Sequence, residues 1–255
     1  MEILSKPLRT VIADRAQPFD FSSAVDTSRN VLVVAADPIH IFLSCGGLLQ
    51  QLQESKMNIY VLFLTSGTRY DTDTEQRRRR VRRQKEKETL NACLYYSIRR
   101  NRIKFLRIRE DKSIISQNRA KLRAEKICLR RLNRKKIGTV ILPWRRDPDI
   151  NLITTHFIAN RSIQEAKHTP KIIEYPIRLW DSENEVDYPL EGEVHIQKLT
   201  LGDRVQNKKE ALCSFTSRIQ CLSEDNPMDF VLKSFNTAHF LQEEEYYFIS
   251  PSNKT

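Results

Sequence analysis

The strongest constraint on the fold lies between Val31 and Leu49, VLVVAADPIHIFLSCGGLL, where an unbroken apolar run turns through a polar elbow into a Cys-Gly-Gly segment. Val31 to Ala36 is short, mostly β-branched and without polar alternation, which predicts a strand covered on both faces, as in a parallel sheet. Asp37, Pro38 and His40 follow at its carboxyl end, where open α/β sheets bind their ligands. Gly46 and Gly47 predict close packing of the next helix against the sheet. Ile39 and Ile41 alternate with Asp37 and His40, so aliphatic side chains interleave with the two groups able to hold a metal or move a proton.

The rest of the chain continues the alternation of strands and helices. Strands are predicted at 58–64 (NIYVLFL), 103–108, 139–142 and 171–179, with an edge strand at 194–199. Helices are predicted at 46–55, from near Glu75 to Leu94, at 119–135, 152–167 and 203–221. Three further loops fall on the same carboxyl rim: Thr65-Ser66-Gly67, the residues Glu110 and Asp111, and PWRRDPDIN at 143–151. This reads as one three-layer αβα Rossmann-like domain with a mainly parallel sheet, spanning 31–249, with an N-terminal extension (1–30) and a short tail (250–255).

Composition narrows the class. A chain of 255 residues that is 40% hydrophobic has material for one large core. Charges interrupt the N-terminus where a signal peptide needs an apolar centre, and no run approaches the roughly 18 apolar residues of a membrane span, so a cytoplasmic protein is expected. Cys45, Cys93, Cys128, Cys213 and Cys221 are odd in number and form no CxxC pair, which argues against a disulfide framework and a zinc finger.

Net charge is +11, and its source is local: residues 77–136 hold 24 Lys and Arg against 5 Asp and Glu, a balance of +19, leaving −8 elsewhere. Arg77, Arg78, Arg79, Arg80, Arg82 and Arg83 crowd two helical turns and repel one another unless anions sit nearby. Two readings remain open: a solvated helix face relieved by Glu86 and Glu88, or a docking surface for an anionic partner such as phosphate, acidic glycan, lipid headgroup or nucleic acid.

The order of these pieces resembles the LmbE/PIG-L family of metal-dependent sugar de-N-acetylases. The family's first motif, A-[HP]-H-P-D-D-E followed by a small residue and C-G-G, stands here as Ala35, Ala36, Asp37, Pro38, Ile39, His40 and Ile41, then Ser44, Cys45, Gly46 and Gly47. Its second, P-W-R-R-D-P-H-x-D-H, stands as Pro143 to Leu152. Weaker echoes are Leu64 to Gly67, Glu174-Tyr175-Pro176, the helix carrying Lys208 to Gln220, and the EEEYYF run ending at Phe248. The resemblance implies an amino-sugar or glycan conjugate as small-molecule ligand and zinc as the family's metal.

Carried over by position, the resemblance also implies losses. The two zinc ligands of the first motif correspond to Asp37 and His40, a swapped pair that both remain ligand-capable. The general base corresponds to Ile39, which cannot accept a proton. Asp149 stands at the oxyanion-stabilising histidine, and a carboxylate there repels developing negative charge. Leu152 replaces the third zinc ligand. A rearranged set of Asp37, His40 and Asp149, with His156 one turn beyond Leu152, is the alternative that would keep zinc or another divalent metal and an active N-deacetylase. Ser66, Trp144, Arg145 and Arg146 are the candidate substrate-binding residues of the rim. No Gly-x-Ser-x-Gly elbow surrounds Ser66 and no Gly-rich nucleotide fingerprint is present. The expectation is a catalytically impaired binding homologue; a third reading is a protein that docks an anionic partner through 77–136.

Overall fold

In the computed structural model, which describes residues 8–68, 74–109, 113–221, 230–233 and 236–250, the apolar runs assemble into an eight-stranded sheet. Its strands are β1 (Gln17–Pro18), β2 (Asn30–Ala35), β3 (Ile59–Phe63), β4 (Ile103–Phe105), β5 (Ile137–Pro143), β6 (Lys171–Tyr175), β7 (His195–Thr200) and β10 (Glu244–Ile249), with β8 (Ile219–Cys221) and β9 (Phe230–Leu232) pairing separately. The order is β1-β7-β10-β6-β5-β2-β3-β4. The block from β6 to β4 is parallel throughout, and β10 runs antiparallel between β6 and β7. Chain order reverses between β2 and β5, the switch point at which such sheets open a crevice.

Period-2 geometry explains why the β2 run lacks polar residues. Val31, Val33 and Ala35 enter one apolar cluster, and Leu32 and Val34 enter another across the sheet. β3 divides likewise, with Val61 and Phe63 on the first side and Leu62 on the second. Helices α3 (Ile39–Ser44), α4 (Gly46–Glu54) and α8 (Arg204–Cys213) cover the first face, and α6 (Asn118–Arg134) and α7 (Ile150–Gln164) cover the second. Helix α5 (Glu75–Leu94) begins where Thr74 caps it, its hydroxyl accepting from Arg77 N at 3.2 Å, and Glu75 adds negative charge to the first turn. Cys45, Cys93 and Cys128 are buried free thiols, and Cys213 is half-buried and also free.

Several boundaries differ from the sequence reading, each for a local reason. The elbow after β2 is itself a short helix, α3. Helix α8 stops at Cys213 instead of reaching Cys221, because Thr216 and Ser217 turn their hydroxyls to Glu88 of α5, at 2.9 and 2.7 Å. β4 is cut short near Arg107, whose φ of +58 ends the extended run. β7 is internal rather than an edge, since β10 flanks it on one side and β1 on the other. Within the predicted extension, α1 (Leu8–Arg15) and β1 pack onto the sheet, and Ile12 and Val25 are buried there. Glu110 and Asp111, and residues 251–255 of the tail, lie outside the described residues.

Candidate functional site

The C-G-G turn is packed too closely for side chains at either glycine. A Cβ on Gly47 would lie 2.0 Å from Leu201 Cδ2, and one on Gly46 would lie 2.8 Å from Lys208 Cγ. With both absent, the first turn of α4 donates to Glu245 on β10: Gly47 N at 2.9 Å and Leu48 N at 3.2 Å. Lys208 Nζ and the Tyr247 hydroxyl complete this carboxylate's shell at 2.8 and 2.6 Å. The Lys208–Glu245 pair is 1% and 2% exposed, so this buried network ties α4, α8 and β10 into one unit behind the site. The sequence hinted at it only through EEEYYF and the helix carrying Lys208.

Asp37 and His40 do meet at the carboxyl end of β2. Asp37 accepts from Ile39 N through Oδ1 at 3.1 Å, and its carbonyl accepts from His40 N at 3.2 Å. Its other oxygen, Oδ2, accepts from Arg218 Nη2 at 2.7 Å, and the same nitrogen reaches the Gly67 carbonyl at 2.9 Å. Burial opposes ionisation of Asp37, yet the Arg218 guanidinium, with His40 and the hydrogen bonds, holds its carboxyl below the usual range. Burial pushes His40 down to about 4, against the pull of Asp37 and Asp149 and with the push of Arg218 and Arg178, so the imidazole is neutral at pH 7.

Sequence reasoning missed Arg218, which lies where a helix was predicted. Its position depends on the turn after α8: Phe215 packs 5.3 Å from Phe42 of α3, and Glu88 accepts from Ser217 N at 3.1 Å as well as from both hydroxyls. Gly67 completes the seat, because at its φ of +70 a Cβ would stand 1.8 Å from Arg218 Nη2. Ser66, beside it, is nearly buried and donates to Glu86 Oε1 at 3.1 Å, while Arg107 clamps the same carboxylate at 2.7 and 2.8 Å.

The positions of the family base and third imidazole belong to the core. Ile39 and Leu152 are both fully buried and sit in the same apolar cluster. Asp149 caps α7, its Oδ1 accepting from Asn151 N at 2.7 Å, and its charge reaches His40. His156 turns elsewhere: Nδ1 lies 3.1 Å from the Pro143 carbonyl and 3.2 Å from Glu174 Oε1. Zinc needs three or more converging donors. Among the described residues no such group of His, Cys, Asp or Glu is gathered. The donors here therefore do not fit a family metal: one of the two best candidates, Asp37, is already taken up by a guanidinium.

The rim loop 143–149 is held from inside. Trp144, expected to offer a stacking face, is fully buried, with Nε1 donating to the Asp187 carbonyl at 2.6 Å and its ring edge-on to Phe248 at 4.8 Å. Arg145 pairs with Glu174, and Arg146 pairs with Glu193 while reaching the Tyr188 carbonyl at 2.6 Å, so both expected clamps are engaged within the fold. Asp147 is fully buried and accepts from Ile177 N at 2.7 Å and Arg178 N at 3.0 Å, joining this loop to the one after β6. Burial pushes its carboxyl up to about 7 despite those bonds.

Solved structures share this architecture. The chain is similar to N,N'-diacetylchitobiose deacetylase from Pyrococcus horikoshii, with 16% identity, 85% of this chain and 78% of that one covered, and a TM-score of 0.57. It is similar to a zinc-inhibited form of teicoplanin deacetylase, with 12% identity, coverage of 88% and 100%, and a TM-score of 0.59. It is also similar to the 4-carboxy-2-hydroxymuconate hydratase of Pseudomonas putida, with 12% identity, coverage of 78% and 81%, and a TM-score of 0.56. At these identities the likeness is one of fold, and the hydratase shows that the fold alone does not set the reaction. No curated protein sequence matches the chain. The sequence pattern of GlcNAc-PI de-N-acetylases matches residues 32–167, more than half of the chain, and the protein therefore belongs to the PIG-L family.

Proposed function

We propose that this chain is a PIG-L family member that binds an amino-sugar or glycan conjugate without hydrolysing it by the family's metal-dependent route. The observation that carries this reading is the Asp37–Arg218 pair at 2.7 Å, flanked by the buried Ile39 and Leu152. A positioned acid-base group contributes roughly 100- to 10,000-fold to a rate, and an oxyanion donor about 100- to 1000-fold. With an aliphatic group at the first position and Asp149 at the second, neither contribution is available through the family's constellation. Family membership supports the ligand class, a sugar conjugate with an amine or acetamide.

Metal analysis and acetate release test this reading together. Purified protein is expected to carry zinc well below one equivalent and to release no acetate from N-acetylated amino sugars in zinc-supplemented buffer, while free or acetylated sugar conjugates raise its melting temperature. Stoichiometric zinc that disappears with Asp37→Ala or His40→Ala, accompanied by acetate release, refutes it in favour of a rearranged active site.

A further inference from the structure

The basic segment divides into two surfaces of different character. On α5, Glu75 receives Arg78 and Arg79 at 3.1 Å each, and Glu86 is clamped by Arg107, so part of the crowding is relieved within the helix and its neighbours. On α6 the described residues give no such relief. Lys104 of the edge strand β4 and Arg119, Arg123, Lys126, Arg130 and Arg131 of α6 line an open groove of about 690 Å³. None of the six forms an ion pair with a carboxylate of the described residues. Glu125, the acidic residue of α6, is buried and turned toward Arg161 on α7 at 3.9 Å.

The positive wall extends past the groove along the sheet edge. Arg102 and Lys135 lie over the Tyr60 ring at 5.8 and 5.5 Å, and Arg100 lies 6.0 Å from the Phe105 ring. These aromatic contacts orient the cations, and none of the three forms an ion pair with a carboxylate of the described residues.

We propose that this groove binds nucleic acid through its phosphodiester backbone, without base-sequence preference. Arg119, Arg123, Lys126 and Arg130 stand at i, i+4, i+7 and i+11, a stripe along one side of α6. At 1.5 Å of rise per residue the stripe is about 16 Å long. One strand of a B-form duplex carries a phosphate every 3.4 Å of axis, so about five phosphates lie alongside it. Long, exposed, unpaired cations supply this kind of binding, and contacts to phosphate carry no sequence information. A flat anionic bilayer fits less well, because cations on two walls of a concave groove cannot all reach one plane of headgroups. Among the groove's lining residues the strongly exposed apolar side chain is Leu122, short of the broad apolar face that interfacial binding uses. This inference is independent of the reading of the Asp37 site.

Fluorescence anisotropy with an end-labelled 20-base-pair duplex of random sequence, between 50 and 200 mM KCl, tests it. Five phosphate contacts give a slope of log affinity against log salt of about −4.5, a loss of about 500-fold across that range. The double variant Arg123→Ala, Lys126→Ala removes two contacts and is expected to bring the slope to about −2.7. A control with the same net charge, Arg29→Ala with Arg161→Ala, is expected to keep the full slope, and a duplex of unrelated sequence is expected to bind equally. The proposal is overturned by absence of binding at 50 mM KCl, by equal slopes in the two double variants, by sequence-dependent affinity, or by binding to phosphatidylserine vesicles without binding to the duplex.

Discussion

Replacing Arg218 with methionine keeps an unbranched side chain in the turn after α8 and removes the cation that Asp37 faces. The side chains of Arg218 and Asp37 are 17% and 16% exposed, so water screens the pair only in part. The charge-assisted contacts to Asp37 Oδ2 at 2.7 Å and to the Gly67 carbonyl at 2.9 Å disappear. Hydrogen bonds to charged groups contribute roughly 1.5–3 kcal/mol each, and two sharing one nitrogen do not add in full, so the expected loss is about 2–3 kcal/mol. At about 2.1 cal/mol/K per residue, a chain of 255 residues then melts about 4–6 °C lower.

The pH dependence has a definite sign. Asp37 ionises more readily in the folded protein than its ordinary value of 3.8, so its contribution is complete above that value and is lost as pH falls through the folded one. The difference between wild type and Arg218→Met is therefore full at pH 7 and closes in acid. Urea denaturation of wild type, Arg218→Met, Asp37→Asn and the double variant completes a cycle, with an expected coupling of about 1.5–2 kcal/mol at pH 7. Coupling below about 0.5 kcal/mol would show that Arg218 is not the counter-ion of Asp37, and the charge argument for the site would fail with it.

Two further outcomes follow from buried groups. His40 titrates at about 4 in the fold against an ordinary 6.5, so the unfolded chain takes the proton first and stability falls as pH drops from 6.5 toward 4. From pH 7 to pH 4.5 this group alone costs about 2 kcal/mol, a slope that His40→Gln abolishes and that paired urea titrations would detect. Lys208→Met strips Glu245, 2% exposed, of its cation and is expected to cost about 3–5 kcal/mol, whereas adding Glu245→Gln recovers much of the loss. A single-variant cost under about 1 kcal/mol in calorimetry would contradict the buried-pair account.

What the sequence made legible follows from range of interaction. β2 and β3 were readable because a strand buried on both faces needs only a local apolar run, and α5 and α6 because capping and helical periodicity are local too. β1 escaped notice because two residues, Gln17 and Pro18, carry no pattern and owe their strand geometry to β7. Arg218 escaped because its place is set by Glu88 of α5 and Phe42 of α3, contacts far away in sequence that interrupt a plausible helix. The run PWRRDP, the plainest mark of the family, was legible as a motif, but its long-range partners were not. Its Trp144, Arg145, Arg146 and Asp147 brace the rim through Asp187, Glu174, Glu193 and the loop after β6, contacts that no local pattern announces.

Packing and hydrogen bonding are enough to retain such a motif, whatever the chemistry beside it. The converse holds for Asp37. A carboxylate at the end of a buried strand needs a cation whether or not it serves catalysis, since leaving it unpaired away from water is costly. On the reading proposed above, Leu152 withdraws one metal ligand and Arg218 supplies the missing positive charge from within the chain. The two features answer the same electrostatic demand. Neither is intelligible alone: a guanidinium on Asp37 would obstruct a zinc enzyme, and an aliphatic third position without that guanidinium would leave Asp37 short of a partner.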